Sequence, residues 1–270
     1  GSFVWHYAHP IKEAIILQKK AHEQGYEFGD LTRGVVAGYS NAQINHYAQG
    51  LGLAQLQSQL MSLDTSVHKQ DVKVSAGSYY KRLIYMLTEP EVTNQLEAAA
   101  FAPEEWQLIQ SCVLKAFIEH LQLQAFFWRD QESEAWLAVT AAETSLPMMS
   151  GFVTALEQRF IAALLACRQA DSEQVTQIIR RSLTELSELN DLCPENFEHK
   201  LSLLQAEIAF AEGQSIESLT PLYLLAISSA EQNGFLQYQA LANELYGRAW
   251  IAKHYTPMSH IYLQQALELY

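Results

Sequence analysis

The sequence predicts an all-α protein: helical hairpins stacked side by side into a right-handed superhelix, a solenoid of about 12 helices. Three observations carry this. Apolar residues recur three or four positions apart along nearly the whole chain, which marks one buried face per helix. No alternating apolar–polar stretch of useful length marks a strand. In the last third the pattern returns after about 40 residues, as stacked repeats do: Ala209-Phe210 is echoed by Ala249-Trp250, and Ala226-Ile227 by Ala266-Leu267.

The clearest hairpins lie between Asp191 and Tyr270. Phe197, Leu201, Leu204, Ile208 and Ala211 form one helix face, and Leu219, Leu222, Tyr223, Ala226, Ile227 and Ala230 form its partner's. Gly213 and Asn233-Gly234 stand where those helices must stop, because Gly and Asn tolerate the left-handed conformation that ends a helix. Pro221 conflicts with a helix started by Ser215. Either the helix begins at Thr220 with Pro221 in its first position, or a short turn precedes it. Thr256-Pro257 reads as an N-cap followed by a first-turn proline.

Earlier in the chain, Pro10 opens a helix carrying Ala14, Leu17 and Ala21 that ends near Gly25. Asp30 or Thr32 starts the next, with Val35, Val36, Tyr39, Ile44 and Tyr47 on its face, and Gly34 and Gly38 permit a close helix crossing. Gly50-Leu51-Gly52 closes it. An amphipathic segment over 53–63 precedes a polar break at 64–71, and a further segment over 74–87 offers Tyr79, Tyr80, Leu83 and Leu87 for burial. Pro90 and Pro103 suit first turns, and the helix from Pro103 to about Arg129 pairs with a short one over 136–142. Pro147 breaks the chain before a hairpin of helices over 152–170 and 173–189.

Composition narrows function. The 270 residues are 49% hydrophobic and 17% charged, enough apolar surface for a fully ordered chain. A net charge of −13, with 30 acidic and 17 basic residues, opposes nucleic acid and anionic membranes. The basic pairs Lys19-Lys20, Lys81-Arg82 and Arg180-Arg181 are isolated. Cys112, Cys167 and Cys193 fit no disulfide framework or CxxC site and point to a reducing cytoplasm. The longest apolar run, 160–167, falls far short of the ~20 residues of a membrane helix. The initial Gly-Ser reads as a cloning scar and the rest as one array excised from a longer chain.

No arrangement for catalysis emerges, and no cofactor or metal is expected. Gly50-x-Gly52 follows a helix rather than a strand and lacks the third glycine of a dinucleotide fingerprint. His6 and His9 have a metal-capable spacing, but Trp5, Tyr7 and Pro10 around them read as a packing segment. Glu119 and His120 are adjacent and diverge on a helix. The 13 Tyr, 11 Phe and 5 Trp mostly fill seams between hairpins. Others line the concave face, where Gln239, Asn243 and Glu244 are placed to hold a peptide or a neighbouring domain.

The run Cys193-Pro-Glu-Asn-Phe-Glu-His-Lys200 is followed by Ala206-Glu207, Gly213, Leu222-Tyr223, Ala226-Ile227, Ala230-Glu-x-Asn-Gly-Phe235 and Ala240-Leu-Ala-x-Glu-Leu245. Together these resemble the TPR-like region of large bacterial multi-sensor signalling "multi-kinases", closely over 190–270 and more weakly over 10–190. The resemblance implies TPR-like hairpins preceded by a kinase-like domain and a STAND-type ATPase, and followed by a GAF sensor and a histidine kinase or other output. It implies a non-catalytic regulatory and protein-interaction role in the cytoplasm, with flanking domains, a separate signalling protein or a small effector as partner. Cys193 replaces a small Ala of that family, and Pro221 is unusual there. His199 and Lys200 are expected on the polar side of their helix, pairing with Glu207 or meeting another domain. The alternatives are the effector-binding helical sensor of a STAND transcriptional activator and, last, an all-α enzyme.

Overall fold

The computed structural model of the chain describes residues 5–30, 34, 38, 52–68, 83, 84, 87 and 112–270. The described residues are all-helical, with ten α-helices, two 3-10 turns and no strand. The expected total of about 12 refers to the whole chain, and the helical residues Gly34, Gly38, Leu83, Ile84 and Leu87 lie outside these ten helices. The helix expected to carry Val35, Val36, Tyr39, Ile44 and Tyr47, the roles of Tyr79 and Tyr80, and the starts at Pro90 and Pro103 lie outside the described residues.

A 3-10 turn over Trp5–Tyr7 leads through Pro10 into α1 (Ile11–Glu27). Its buried face is Ile11, Ala14, Gln18 and Gly25. Leu17 and Ala21 are exposed, contrary to expectation. The close crossing expected of Gly34 is present, against Gly25: a Cβ on Gly25 would lie 2.6 Å from Gly34 N. Helix α2 (Leu53–His68) runs on through part of the expected polar break, with Leu56 fully buried. Leu83 is buried and Leu87 half-buried.

From residue 112 the helices follow one another closely: α3 (Cys112–Trp128), α4 (Glu132–Ala142), a 3-10 turn at Leu146–Met149, α5 (Val153–Ala166) and α6 (Glu173–Leu192). Then come α7 (Pro194–Ala211), α8 (Ile216–Asn233), α9 (Leu236–Ala252) and α10 (Thr256–Leu269). From α3 onward each helix packs on the next, and α3, α5, α7 and α9 also touch in succession along one side.

Local chemistry sets the boundaries. Ser172 caps α6, its Oγ accepting from the Val175 amide at 3.2 Å. Pro194 occupies the first turn of α7. Gly213 and Gly234 end α7 and α8 at φ of +77° and +76°. Pro221 behaves in neither expected way: α8 is continuous from Ile216, with the proline inside. The proline removes one N–H, and Thr220 Oγ1 bonds back to the Ile216 carbonyl at 2.8 Å. The tight packing of Leu219 and Tyr223, both fully buried, holds the turn in place.

One apolar cluster links the helices from Ile11 and Ala14 through Leu123, Phe160, Leu164, Leu204 and Tyr223 to Tyr246 and Ala249. The repeat pairs hold in part. Ala209, Ala226, Ala249 and Ala266 are buried, and Phe210, Ile227 and Trp250 are half-buried. Leu267 is 77% exposed. Among the described residues no helix is long and apolar enough to cross a membrane.

Candidate functional site

The run Asn196-Phe197-x-His199-Lys200 organises the interior. Helix α7 is flanked by α6 and α8 and also touches α5 and α9, so little of it faces water. His199 and Lys200 are therefore 1% and 3% exposed. They do not lie on the polar side, and Lys200 does not pair with Glu207. Its Nζ meets Glu157 Oε1 of α5 at 3.2 Å. Tyr238 of α9 donates its hydroxyl to the other oxygen of Glu157. The Lys200 Nζ also lies 4.0, 5.0 and 5.9 Å from the ring centres of Tyr238, Phe235 and Phe160. One charge pair inside a cage of rings thus ties α5, α7 and α9 together.

The electrostatics follow from burial. Loss of water pulls the Lys200 amine below its ordinary pKa, while the charge and hydrogen bond of Glu157 pull it back up. Lys200 Nζ lies 3.2 Å from His199 Nε2. An ammonium can only donate, so Nε2 accepts and the ring carries its proton on Nδ1. The His199 ring stacks on Phe235 at 4.2 Å. Burial, then the Lys200 charge, lowers its pKa well below the usual value, so it stays neutral. Enclosed this way, the amine and imidazole are suited to holding helices rather than to attacking a substrate.

Asn196 faces the other way, toward the start of the chain. Its Oδ1 accepts the Ile11 amide at 2.9 Å, and its Nδ2 donates to the His6 and His9 carbonyls, each at 2.8 Å. Pro10, the N-cap of α1, offers no side-chain cap, so Asn196 serves the first orphan amide of α1. The His6 ring is 3% exposed, and burial followed by the Lys200 charge lowers its pKa to about 4. His9 instead stacks on Trp5 at 4.0 Å. The two rings therefore occupy different surroundings, one buried and one stacked at the surface.

A second polar layer lies further along α7. Tyr223 donates to Glu207 at 2.6 Å and stacks on Tyr246 at 4.9 Å. The Tyr246 hydroxyl lies 2.8 Å from Thr220 Oγ1. Burial raises the Glu207 carboxyl, and the Tyr223 hydrogen bond opposes it. Burial also pushes the Cys167 thiol up to about 12. Burial first, and then the hydrogen bond to Glu195 Oε2 at 3.4 Å, raise the Cys193 thiol to about 11, so both thiols are poor nucleophiles at neutral pH. In α3, Glu119 accepts from Ser145, while His120 is fully buried beside Gln124 at 2.9 Å and lowered to about 3.

The three residues expected to hold a ligand on α9 diverge. Asn243 is 1% exposed and donates to the Gln239 carbonyl at 2.8 Å, a contact within its own helix. Gln239 is half-buried. Glu244 lines a cleft of about 140 Å³ with Trp128, Asp130, Arg168, Arg248 and Tyr270. There it accepts from the Tyr270 hydroxyl at 2.8 Å and pairs with Arg248, whose guanidinium also forks onto Asp130 at 3.1 and 3.3 Å. That cleft is already neutralised by its own charges.

Sequence reasoning missed Glu157, Tyr238 and the role of Asn196. One signal was present. Glu157 is the one acid of α5, a helix whose later turns over 160–166 are wholly apolar or small, and a buried acid requires a counter-charge. No family model matches the chain, and none of the curated proteins compared with it is significantly similar in sequence.

Proposed function

We propose that this chain is a non-catalytic regulatory and protein-interaction module: one TPR-like α-solenoid over residues 3–270, belonging to a larger signalling chain of the ATPase and histidine-kinase kind. The observation that carries the reading is the packing order. Consecutive helices pair, alternate ones touch along one side, and polar side chains inside the array are spent on joining helices. Such an array transmits force between its ends, since each hairpin bears mainly on its neighbours. Binding that favours one packing over another would change how flanking ATPase and output domains meet.

The resemblance over 190–270 supplies the signalling context and the cytoplasmic setting. The experiment is a binding measurement between this chain and separately expressed ATPase and output segments of the parent. Binding to either one, with no ATP hydrolysis or phosphotransfer by this chain alone, is expected. Absence of binding to both, or turnover abolished by a point change in this chain, would refute the reading.

A further inference from the structure

Seen from Asn196, the start of the chain behaves as a bound peptide. One amide side chain reads three backbone groups of a segment 185 to 190 residues away. The orientation of that amide is forced, since two carbonyls can only accept and a backbone N–H can only donate. Backbone contacts of this kind fix register and direction, while side chains choose the sequence. The side chains here are the buried His6 ring and the half-buried rings of Trp5 and Tyr7 against the core. One further feature makes the segment separable. Trp5 Nε1 and His6 Nε2 are buried with no hydrogen-bond partner. The segment is thus an imperfect ligand that a better-satisfied one would displace.

We infer that Trp5–Ile11 is a strap occupying a peptide site of the array in cis, and that the same site takes in trans a peptide of like chemistry. That chemistry is a histidine between two aromatic residues, leading into the proline-started first turn of a helix. The inference rests on the array being an interaction module and names its ligand. Opening the strap would free the ends of α5, α7 and α9 around Asn196 for such a partner.

The test uses the full chain and a fluorescein-labelled peptide of residues 5–14, read by anisotropy. Trp5→Ala with Tyr7→Ala weakens the cis copy without altering Asn196 itself. This variant should bind the peptide at least about tenfold more tightly than the parent chain, the gain that follows when a site is closed about nine-tenths of the time or more. Adding Asn196→Ala should abolish binding. Equal affinity of parent and strap variant, no binding by the strap variant, or indifference to Asn196→Ala would overturn the inference. Should the strap variant fail to fold, hydrogen exchange on the parent chain decides. Excess unlabelled peptide should speed exchange at the Ile11 amide while α8 and α9 stay protected, and an unchanged rate overturns the inference. A chain whose strap never opens but which still binds flanking segments would sink the strap alone and leave the module standing.

Discussion

Replacing Lys200 with methionine isolates the central pair. The substitution keeps most of the side-chain volume and leaves Glu157, 2% exposed, with Tyr238 as its remaining hydroxyl partner. An uncompensated buried carboxylate costs about 3–5 kcal/mol, far more than a lost surface pair. For a chain of this size that corresponds to a fall in Tm of about 10 °C, or a matching shift in urea midpoint followed by circular dichroism. Much of the loss should return when Glu157→Gln is added, because the amide still accepts from Tyr238 but carries no charge. We expect recovery of about 2 kcal/mol or more in the double variant. If Lys200→Met alone costs less than about 1 kcal/mol, or Glu157→Gln gives no recovery, the charge pair does not join α5, α7 and α9 as described.

Acid should loosen the fold near its first turn. His6 titrates near 4 when folded and near 6.5 when free, so its contribution is complete above pH 6.5 and is lost as pH falls toward 4. That loss is about 3 kcal/mol, and His120 and His199 act in the same direction, while the raised Glu207 acts against them. Urea midpoints from pH 7 to 5 should drop, and less steeply for His6→Gln; a flat profile would contradict the buried neutral rings. Tyr223→Phe removes the donor to Glu207 and should cost about 1–3 kcal/mol by the same assay, with no loss refuting that hydrogen bond's burial. Gly247→Ala should cost about 1–3 kcal/mol, because its Cβ would lie 2.8 Å from Leu263 Cγ and 3.3 Å from Leu263 N, pushing α10 off α9; an unchanged midpoint would show that α10 yields freely.

Helix existence and most boundaries were legible in the sequence, because periodicity, prolines and glycines act locally. Gly213, Gly234 and Pro194 end or start helices where their own backbone preferences require it. Pro221 shows the limit of that logic: a local breaker is overridden when Leu219 and Tyr223 on either side are locked in the core. The candidate site was harder. His199 and Lys200 look like a solvated helix face by residue type, and only the covering of α7 by its neighbours turns them inward. Gln239, Asn243 and Glu244 share a helix but not a purpose, since rotation about α9 sends Asn243 inward and Glu244 into a charged cleft.

For the described residues, the sequence by itself determined that the chain is helical, where most of its helices turn and much of the apolar face that packs inward, all consequences of spacings shorter than two turns. Leu17, Ala21 and Leu267 face outward instead. Only the tertiary structure decided that Asn196 holds the first residues of the chain and that Glu157, Lys200 and Tyr238 meet. Those contacts join residues from 38 to 190 positions apart. No local preference encodes them; they arise because a buried charge or amide must find its partner wherever packing brings one.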